Sequence, residues 1–166
     1  TVFLIFCPLK CVWCHNPESI SSSPQLPFYK SKCSLCGNCV NICPVQAHSI
    51  RDNVHTLDRN KRVACGKCQD VCYNGALTLY GKEMSVEEVL PALLEDKDFY
   101  ETSGGGITIS GGECLIHPEF CAELLKKLKE EYEIDFTIVN GENATTGNGI
   151  TEKYAYMLLD AGADVI

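Results

Sequence analysis

The sequence predicts an α/β protein in which alternating strands and helices form a parallel sheet or part of a barrel, interrupted by a small cysteine-rich insert. Outside the insert, short apolar segments alternate with amphipathic segments in the order β-α-β-α-β, which is typical of parallel strand pairing. Inside it, "CSLCGNCVNICPVQAHSI" and "VACGKCQDVCYNGALTLY" repeat each other with a period of about 29 residues. We therefore divide the chain into four predicted segments, at residues 1–29, 30–81, 82–130 and 131–166.

Composition narrows the classes of function. The net charge of -8 gives the chain no overall attraction to nucleic acid or to an anionic membrane. No apolar run reaches the roughly 18 to 20 residues that a membrane span needs. Most of the 12 cysteines fall in C-x2-C or C-x3-C spacings, which suit metal ligation better than disulfides. We expect a cytoplasmic protein with no nucleic-acid or membrane partner, and the chain's two ends predict a fragment.

Each element of the first half follows from a local pattern. Residues 1–6, "TVFLIF", are apolar and partly β-branched, and they predict a buried strand that ends at the first cysteine. Ser85 and Glu88 form a capping-box pattern at the start of a helix predicted over residues 85–96. Pro91 lies inside that helix and is expected to kink it or to end it early.

The second half continues the alternation. Residues 107–110 predict a short strand between two glycine turns, and Pro118 opens the next helix. Residues 134–139 predict a third strand. Residues 151–161 predict a last helix, capped by Thr151 and closed by a glycine.

Three cysteines, Cys7, Cys11 and Cys14, follow the first predicted strand with no fourth cysteine nearby. Thiolates are soft ligands that suit iron–sulfur clusters and zinc. Three ligands on a four-iron cluster leave one iron open, and an open metal position is where a substrate or cofactor binds. The alternative is a zinc site with a distant fourth ligand such as His15, although C-x3-C is not among the usual zinc spacings.

This loop resembles that of the radical S-adenosylmethionine (SAM) family, whose signature is C-x3-C-x-aromatic-C after the first barrel strand. Cys7, Cys11, Trp13 and Cys14 match that signature. The longer string "CPLKCVWCHNPES" is similar to the activating enzymes of glycyl radical enzymes, in the subgroup related to pyruvate formate-lyase activase. The resemblance extends to about residue 128. It implies an incomplete (β/α) radical SAM barrel with an inserted ferredoxin-like iron–sulfur domain.

The resemblance also implies a role for the matching residues. The open iron of a 4Fe–4S cluster would chelate the amino and carboxylate groups of SAM, and Trp13 would lie against the adenine. In the turn "SGGE", the backbone of Gly111 and Gly112 and the side chain of Glu113 would contact the amino group of SAM. Glycine would be required there because the backbone approaches the ligand closely. The alternative for Trp13 is a core tryptophan.

The insert contains "CSLCGNCVNICP", which is the C-x2-C-x2-C-x3-C-P run of bacterial ferredoxins. In a two-cluster ferredoxin, the fourth cysteine of each run ligates the other cluster. One predicted 4Fe–4S cluster therefore has four ligands, namely Cys33, Cys36, Cys39 and Cys72. The other has three, namely Cys43, Cys65 and Cys68.

The fourth ligand of the second cluster is missing from the run. Arg62 stands where the pattern requires a cysteine, and arginine does not ligate iron; Tyr73 replaces the usual proline. Three alternatives stay open: weak binding of the cluster, another ligand such as Asp58 or His55, or no second cluster. A further alternative is that the whole insert is a purely structural clamp.

The tail departs from the activating enzymes. "EIDFTIVNGENATTGNG" resembles a segment of bacterial calcineurin-like metallophosphoesterases, in which Glu142 and Asn143 would match two metal ligands. The other ligands of such a site are not in this sequence, so we predict a polar turn and no phosphoesterase activity. The two resemblances meet within residues 122–133, which predicts a chimeric sequence joined inside one helix. Cys114 and Cys121 lie outside every motif and are predicted to be packed residues.

The function that the resemblance implies is radical generation. SAM would be cleaved reductively, and the resulting 5′-deoxyadenosyl radical would remove a hydrogen atom from a glycine of a partner glycyl radical enzyme. A flavodoxin- or ferredoxin-type protein would supply the electron, and the insert would relay it or bind the donor. The competing predictions are a ferredoxin-like electron-transfer module without radical chemistry, and an inactive chimeric fragment.

Overall fold

The structure is a computed structural model, which describes residues 1–145 and 147–166. These described residues form four β-strands, β1 (Val2–Leu4), β2 (His48–Arg51), β3 (Val54–Leu57) and β4 (Ile109–Gly111). Six α-helices are formed in the described residues, α1 (Asn38–Ile42), α2 (Lys67–Asp70), α3 (Val86–Leu94), α4 (Lys97–Ser103), α5 (Pro118–Tyr132) and α6 (Glu152–Asp160). Short 3-10 helices occupy Pro17–Ser19, Lys30–Lys32 and Cys114–Ile116.

The chain forms two compact units. The insert unit is the continuous segment Pro24–Lys82, and the discontinuous unit combines Thr1–Ser23 with Glu83–Ile166. The cysteine-rich repeat lies within the insert unit, whereas the three-cysteine loop lies within the discontinuous unit.

The sheet of the discontinuous unit is a parallel pair. Strand β1 lies beside β4, with Val2 opposite Ile109 and Leu4 opposite Gly111. Strand β1 is shorter than the predicted range 1–6, and β4 is shifted toward the carboxyl end of the predicted range 107–110. The third strand predicted at 134–139 is wrong, because the backbone there forms only one parallel bridge, between Ile138 and Val165.

The helices of this unit follow the capping signals of the sequence. The side chain of Ser85 accepts from the Glu88 amide, and the Glu88 side chain accepts from the Ser85 amide, which completes the predicted capping box. Helix α3 continues past Pro91 to Leu94, and a separate helix, α4, which was not predicted, follows it. Helix α5 begins at Pro118 as predicted. Helix α6 begins after Thr151, whose side chain accepts from the Tyr154 amide.

Helix α5 organises the core because it carries apolar residues on two sides. One side packs against α3 through the fully buried Leu124 and the buried Leu128. The other packs against α6 through Leu125, in a cluster that includes Leu158 and Ala163 of the tail. The tail and the preceding segment therefore share one hydrophobic cluster.

Replacing Leu124 by alanine is expected to destabilise the chain by about 2–5 kcal/mol, because the side chain is 0% exposed and leaves a cavity. Urea unfolding followed by circular dichroism measures the loss. The matched control is Leu159→Ala in α6, whose side chain is 45% exposed and whose removal should cost less than about 1 kcal/mol. Equal losses for the two variants would contradict the packing described here.

The insert unit is built from two equivalent halves and a hairpin. Strands β2 and β3 pair antiparallel, with His48 opposite Leu57 and Ile50 opposite His55. Helices α1 and α2 each begin after a glycine of the repeat with positive φ, Gly37 at 79° and Gly66 at 77°. These glycines are 29 positions apart, which is the predicted period of the repeat.

Within the residues that the structure describes, no helix combines the length and the apolarity that crossing a membrane requires.

Candidate functional site

The three-cysteine loop begins where strand β1 ends. The Phe6 amide donates to the Ser19 carbonyl at 2.7 Å, and the Cys7 amide donates to the Ile20 carbonyl at 3.3 Å. Inside the loop, the Cys14 amide donates to the Cys11 carbonyl at 3.1 Å. These bonds close the segment between Cys7 and Ile20 into a loop that leaves and returns at the end of one strand.

The "SGGE" turn lies directly beside this loop. The Gly112 amide donates to the Leu4 carbonyl at 2.8 Å, and the Glu113 amide donates to the Phe6 carbonyl at 3.1 Å. Because β1 and β4 are parallel, their carboxyl ends meet at one edge, where open α/β sheets bind their ligands. The structure thus brings together two motifs that are about 100 residues apart in sequence.

The glycines of the turn are required by the chain itself. A Cβ on Gly111 would overlap the Leu4 carbonyl oxygen and lie 2.9 Å from the Phe3 carbonyl carbon. A Cβ on Gly112 would lie 2.7 Å from the Phe6 carbonyl carbon and still closer to its oxygen. The chain itself therefore excludes a side chain at both positions, through β1 at Gly111 and through Phe6, which follows β1, at Gly112.

Two residues that the sequence analysis missed join the loop to the turn. The side-chain amide of Asn16 donates to the Gly111 carbonyl at 3.5 Å. The Asn16 carbonyl in turn accepts from the hydroxyl of Ser19 at 2.9 Å, and Ser19 is buried. The signal was the string "HNPES", in which asparagine before Pro17 is typical of the start of a helical turn.

The acidic side chain of the turn has a structural partner. A Glu113 carboxylate oxygen accepts from the Leu115 amide at 3.1 Å and caps the following 3-10 helix. This bond holds the carboxylate beside the turn, and its remaining lone pairs can accept further hydrogen bonds.

Trp13 is 82% exposed and its neighbour Val12 is 94% exposed. The alternative of a core tryptophan is therefore wrong, and the indole face is open to contact by another molecule. The sulfurs of the loop do not form a tight metal site: among the described residues, the one group of three ligand atoms within 4.8 Å of one another is elsewhere. Because two sulfurs on one zinc lie at most about 4.6 Å apart, the loop does not form a ready zinc site.

In the insert unit, the four cysteines of the first predicted cluster line one cavity, namely Cys33, Cys36, Cys39 and Cys72. Burial and the neighbouring thiols raise the pKa of Cys39 to about 11. Four convergent soft ligands around a cavity fit a 4Fe–4S cluster, whose iron would replace the thiol protons.

The second group of cysteines also converges. The pKa of the Cys68 thiol is raised by burial and then by the proximity of Cys65 and Cys43. These are the three cysteines predicted to share the second cluster. The fourth cysteine of each run has an equivalent bond, because the Ala47 amide donates to the Cys43 sulfur at 3.2 Å and Ala76 donates to Cys72 at 3.3 Å.

Among the described residues, neither candidate for the missing ligand is hydrogen-bonded to a cysteine of the second group. His55 instead contacts Cys33 at 3.5 Å and Cys39 at 3.7 Å, so it lies at the first group. The Asp58 carboxylate accepts from the Asn60 amide in an exposed turn. Arg62 itself donates from Nη1 to the Pro24 carbonyl at 2.7 Å, a bond within the insert unit.

The "NGEN" segment of the tail is a polar turn. The Glu142 amide donates to the side chain of Asn140 at 2.9 Å, and the Asn143 carbonyl accepts from Gly147 at 3.1 Å. The Glu142 side chain is exposed. In the described part of the chain, the one group of three close ligand atoms does not include Glu142.

Comparison with known proteins adds relatives to this geometry. Over 133 residues the chain is 40% identical to the benzylsuccinate synthase activating enzyme of Thauera aromatica, which covers 77% of this chain and 40% of that protein. Other curated proteins to which the chain is similar are also activating enzymes. The chain is 42% identical over 134 residues to the (2S)-3-sulfopropanediol sulfolyase activating enzyme of Bilophila wadsworthia, covering 79% and 44% of the two chains. It is 44% identical over 115 residues to the trans-4-hydroxy-L-proline dehydratase activating enzyme of Clostridioides difficile, covering 69% and 38%.

Two protein families match parts of the chain. The 4Fe-4S binding domain family matches residues 26–47, which contain the first ferredoxin run. The YmdB-like protein family matches residues 118–166. No solved structure matches the chain.

These findings confirm the resemblance to activating enzymes. For the tail they give only the YmdB-like match, so the metallophosphoesterase resemblance gains no further support. The chain spans about two fifths of the length of the curated relatives that it matches.

Proposed function

We propose that this chain is part of a radical SAM activating enzyme that generates a glycyl radical on a partner enzyme. The observation that carries the proposal is the junction of the three-cysteine loop with the "SGGE" turn at the carboxyl edge of a parallel strand pair. Similarity of about 40% to several activating enzymes supports it independently.

The donor set of the loop fits a 4Fe–4S cluster with one open iron. Cys7, Cys11 and Cys14 would hold the cluster, and they are free, partly exposed thiols. When bound there, the cluster supplies one electron that splits SAM into methionine and a 5′-deoxyadenosyl radical, and its open iron accepts the amino and carboxylate groups of SAM.

The neighbouring residues of the chain would orient SAM. The exposed face of Trp13 would pack against the adenine, and the Glu113 carboxylate with the backbone of Gly111 and Gly112 would receive the amino group. Asn16 would hold the cysteine loop and the turn in register. Each of these groups binds or positions SAM, and none needs to exchange a proton.

The substrate of the radical would be a glycine Cα–H of a glycyl radical enzyme. The relatives are named for the activation of different enzymes, among them benzylsuccinate synthase and choline trimethylamine-lyase. We therefore propose the class of partner, a glycyl radical enzyme, without choosing among its members. The fold proposed for this function is part of a (β/α) radical SAM barrel with an inserted ferredoxin-like domain.

The insert would carry one or two further 4Fe–4S clusters and pass electrons from a flavodoxin- or ferredoxin-type donor toward the SAM cluster. The match of residues 26–47 to the 4Fe-4S binding domain family supports this role. The same observation favours a second candidate function, an electron-transfer module without radical chemistry. The two candidates differ in one product, since only the first forms 5′-deoxyadenosine.

The experiment is anaerobic reconstitution of the chain with iron and sulfide, reduction with dithionite and addition of SAM. The proposed function predicts that 5′-deoxyadenosine and methionine form in equal amounts. A fully reconstituted chain that yields neither would leave the electron-transfer module as the function of this segment. The control is the same protein without reductant, which should leave SAM intact.

Replacing Arg62 by cysteine is expected to complete the second cluster of the insert, because this residue stands at the missing position of the run. The variant should retain more iron than the natural sequence after exposure to a chelator. Arg62→Lys is the control, since it changes the same side chain without adding a thiolate. Equal iron loss from both variants would contradict the assignment of Cys43, Cys65 and Cys68 to that cluster.

For the tail, we propose a packing role within the discontinuous unit and no phosphoesterase activity. Helix α6 shares a hydrophobic cluster with α5, and Lys129 pairs with Asp164 at 2.8 Å. The chimeric join at 122–133 remains a proposal, supported by a YmdB-like match that begins at α5, at residue 118, in a chain that is 40% identical to an activating enzyme over 133 residues.

A further inference from the structure

The hairpin of the insert unit places two buried histidines at the first group of cysteines. His48 on β2 and His55 on β3 are each 4% exposed. The ring of His55 also packs edge-on against Phe28, with centroids 4.4 Å apart. Neither histidine belongs to the ferredoxin run, and the proposed function gives them no role.

The contacts of His55 are directed at cluster ligands. Its Nδ1 lies 3.5 Å from the sulfur of Cys33, and its Nε2 lies 3.7 Å from the sulfur of Cys39. The same Nε2 lies 3.0 Å from Nδ1 of His48. His55 thus contacts two of the four proposed ligands and one further histidine.

A ligating thiolate restricts which ring nitrogen of the neighbouring histidine can usefully carry a proton. An imidazole ring carries at least one N–H, and its hydrogen-bond partners decide which nitrogen holds it. A thiolate on iron can only accept a hydrogen bond. Either tautomer of His55 therefore presents its N–H to a ligating sulfur, Nδ1–H to Cys33 or Nε2–H to Cys39.

One tautomer gives a donor to two of the three polar contacts of His55 and leaves only the longest, the 3.7 Å contact of Nε2 with the Cys39 sulfur, without one. With the proton on Nδ1, His55 donates to Cys33, and its bare Nε2 accepts from Nδ1–H of His48. With the proton on Nε2, the lone pair of Nδ1 faces the Cys33 thiolate and no donor serves that contact. The first arrangement is a one-way chain of donors, from His48 through His55 to Cys33.

We propose that His55 is a positioning residue for the first insert cluster, donating an N–H···S hydrogen bond to Cys33 that raises the reduction potential of the cluster. The physical reason is that reduction adds negative charge to the cluster and its sulfurs, and a donor to sulfur stabilises that charge. His48 fixes the tautomer of His55 by donating to its other nitrogen. The inference rests on the proposed function, because it requires a cluster on Cys33, Cys36, Cys39 and Cys72.

The test isolates this cluster in the full chain. Cys7→Ala, Cys11→Ala and Cys14→Ala remove the SAM cluster, and the exposed Cys65→Ala removes one of the three ligands of the second. In this background, about four irons per chain are expected after reconstitution. An iron content near zero would overturn the proposed cluster and the hydrogen bond with it.

The potential of that cluster is then measured by a redox titration followed by EPR. His55→Phe is expected to shift it to a more negative value, and His55→Gln, which keeps an N–H donor, should restore part of the shift. The matched control is Thr56→Ala, on the opposite face of the same strand, which should leave the potential unchanged. Full iron content with no difference between His55→Phe and Thr56→Ala would overturn the hydrogen bond alone.

A second measurement needs no substitution of His55. It therefore does not depend on whether a variant at this buried position still binds the cluster. Protein with 15N-labelled histidine, reduced in this background with His55 intact, should show hyperfine coupling between the cluster and a histidine nitrogen in pulsed EPR. Exchange into D2O should add the coupling of the histidine N–H deuteron, beyond that of the Ala76 amide, which also donates to a sulfur of this cluster. The lack of both couplings would overturn the proposal.

Discussion

Replacing Cys11 with alanine is expected to abolish formation of 5′-deoxyadenosine and to lower the iron content of the reconstituted chain by about four per molecule. The loss follows from ligand count, because a cluster that already leaves one iron open would keep only two thiolates. Iron analysis and product quantification measure the two effects on the same sample. The insert clusters should remain, since their cysteines lie in the other unit.

The control for this variant is Cys121→Ala. Cys121 is also a free cysteine, but it is buried in the cluster between α5 and α6, and its S–H donates to the Cys114 carbonyl at 3.3 Å. It should retain both iron and product formation. If Cys11→Ala kept full product formation, the three-cysteine loop would not be the site of SAM cleavage.

Replacing Gly111 with alanine is expected to lower the free energy of unfolding by about 4 kcal/mol. A Cβ there would lie 2.5 Å from the Leu4 amide nitrogen and would overlap the Leu4 carbonyl oxygen, and φ is +108°. Overpacking costs about 1–3 kcal/mol, and a non-glycine residue at such a φ adds about 1–3 kcal/mol. Urea unfolding of the cluster-free chain, followed by circular dichroism, measures the change.

The matched control for Gly111→Ala is Gly106→Ala. Gly106 lies in the glycine segment before β4. Its φ is not in the left-handed region, and an added Cβ would meet nothing within 4 Å. Its stability should change by less than about 1 kcal/mol. If Gly111→Ala unfolded like this control and lost only SAM binding, the glycine would serve the ligand and not the strand pair.

Capping and periodicity predicted the helices well because both are local signals. Ser85 with Glu88, Pro118 and Thr151 each mark a helix start that the structure contains. The repeat of the insert was equally legible, since Gly37 and Gly66 adopt the same positive φ. The capping signals depend on residues within one turn of each other, and the repeat is visible when two stretches of the same chain are compared, so one sequence is enough to define both.

The third strand failed because strand formation depends on a distant partner. Residues 134–139 have the apolar pattern of a strand, but Ile138 finds only one bridge, to Val165, and is 73% exposed. A six-residue apolar pattern cannot specify which neighbour is available to pair with it. Helix α4 was missed because its sequence, "KDFYETS", carries no apolar face that repeats over several turns.

The sequence predicted the candidate ligands of the site but not the residues that hold the cysteine loop and the turn together. The cysteine spacing identified the candidate ligands, whereas Asn16 and Ser19 act through contacts with Gly111 and with the loop that only the fold reveals. From the sequence, His55 was one of several alternatives for the missing ligand of the second cluster, whereas in the structure its ring contacts the first group of cysteines. Its sequence position lies between the two cysteine runs, and only the hairpin register decides that its ring faces Cys33 and Cys39.

The central claim is that the three-cysteine loop carries a cluster with an iron open to SAM. The most direct measurement is electron–nuclear double resonance on the reduced chain with SAM labelled with 15N at its amino group and 17O at its carboxylate. If SAM binds the open iron of this cluster, both nuclei should couple to the cluster spin, and both couplings should vanish in Cys11→Ala. A reduced cluster on the loop with an EPR signal that SAM leaves unchanged, and with neither coupling, would contradict it.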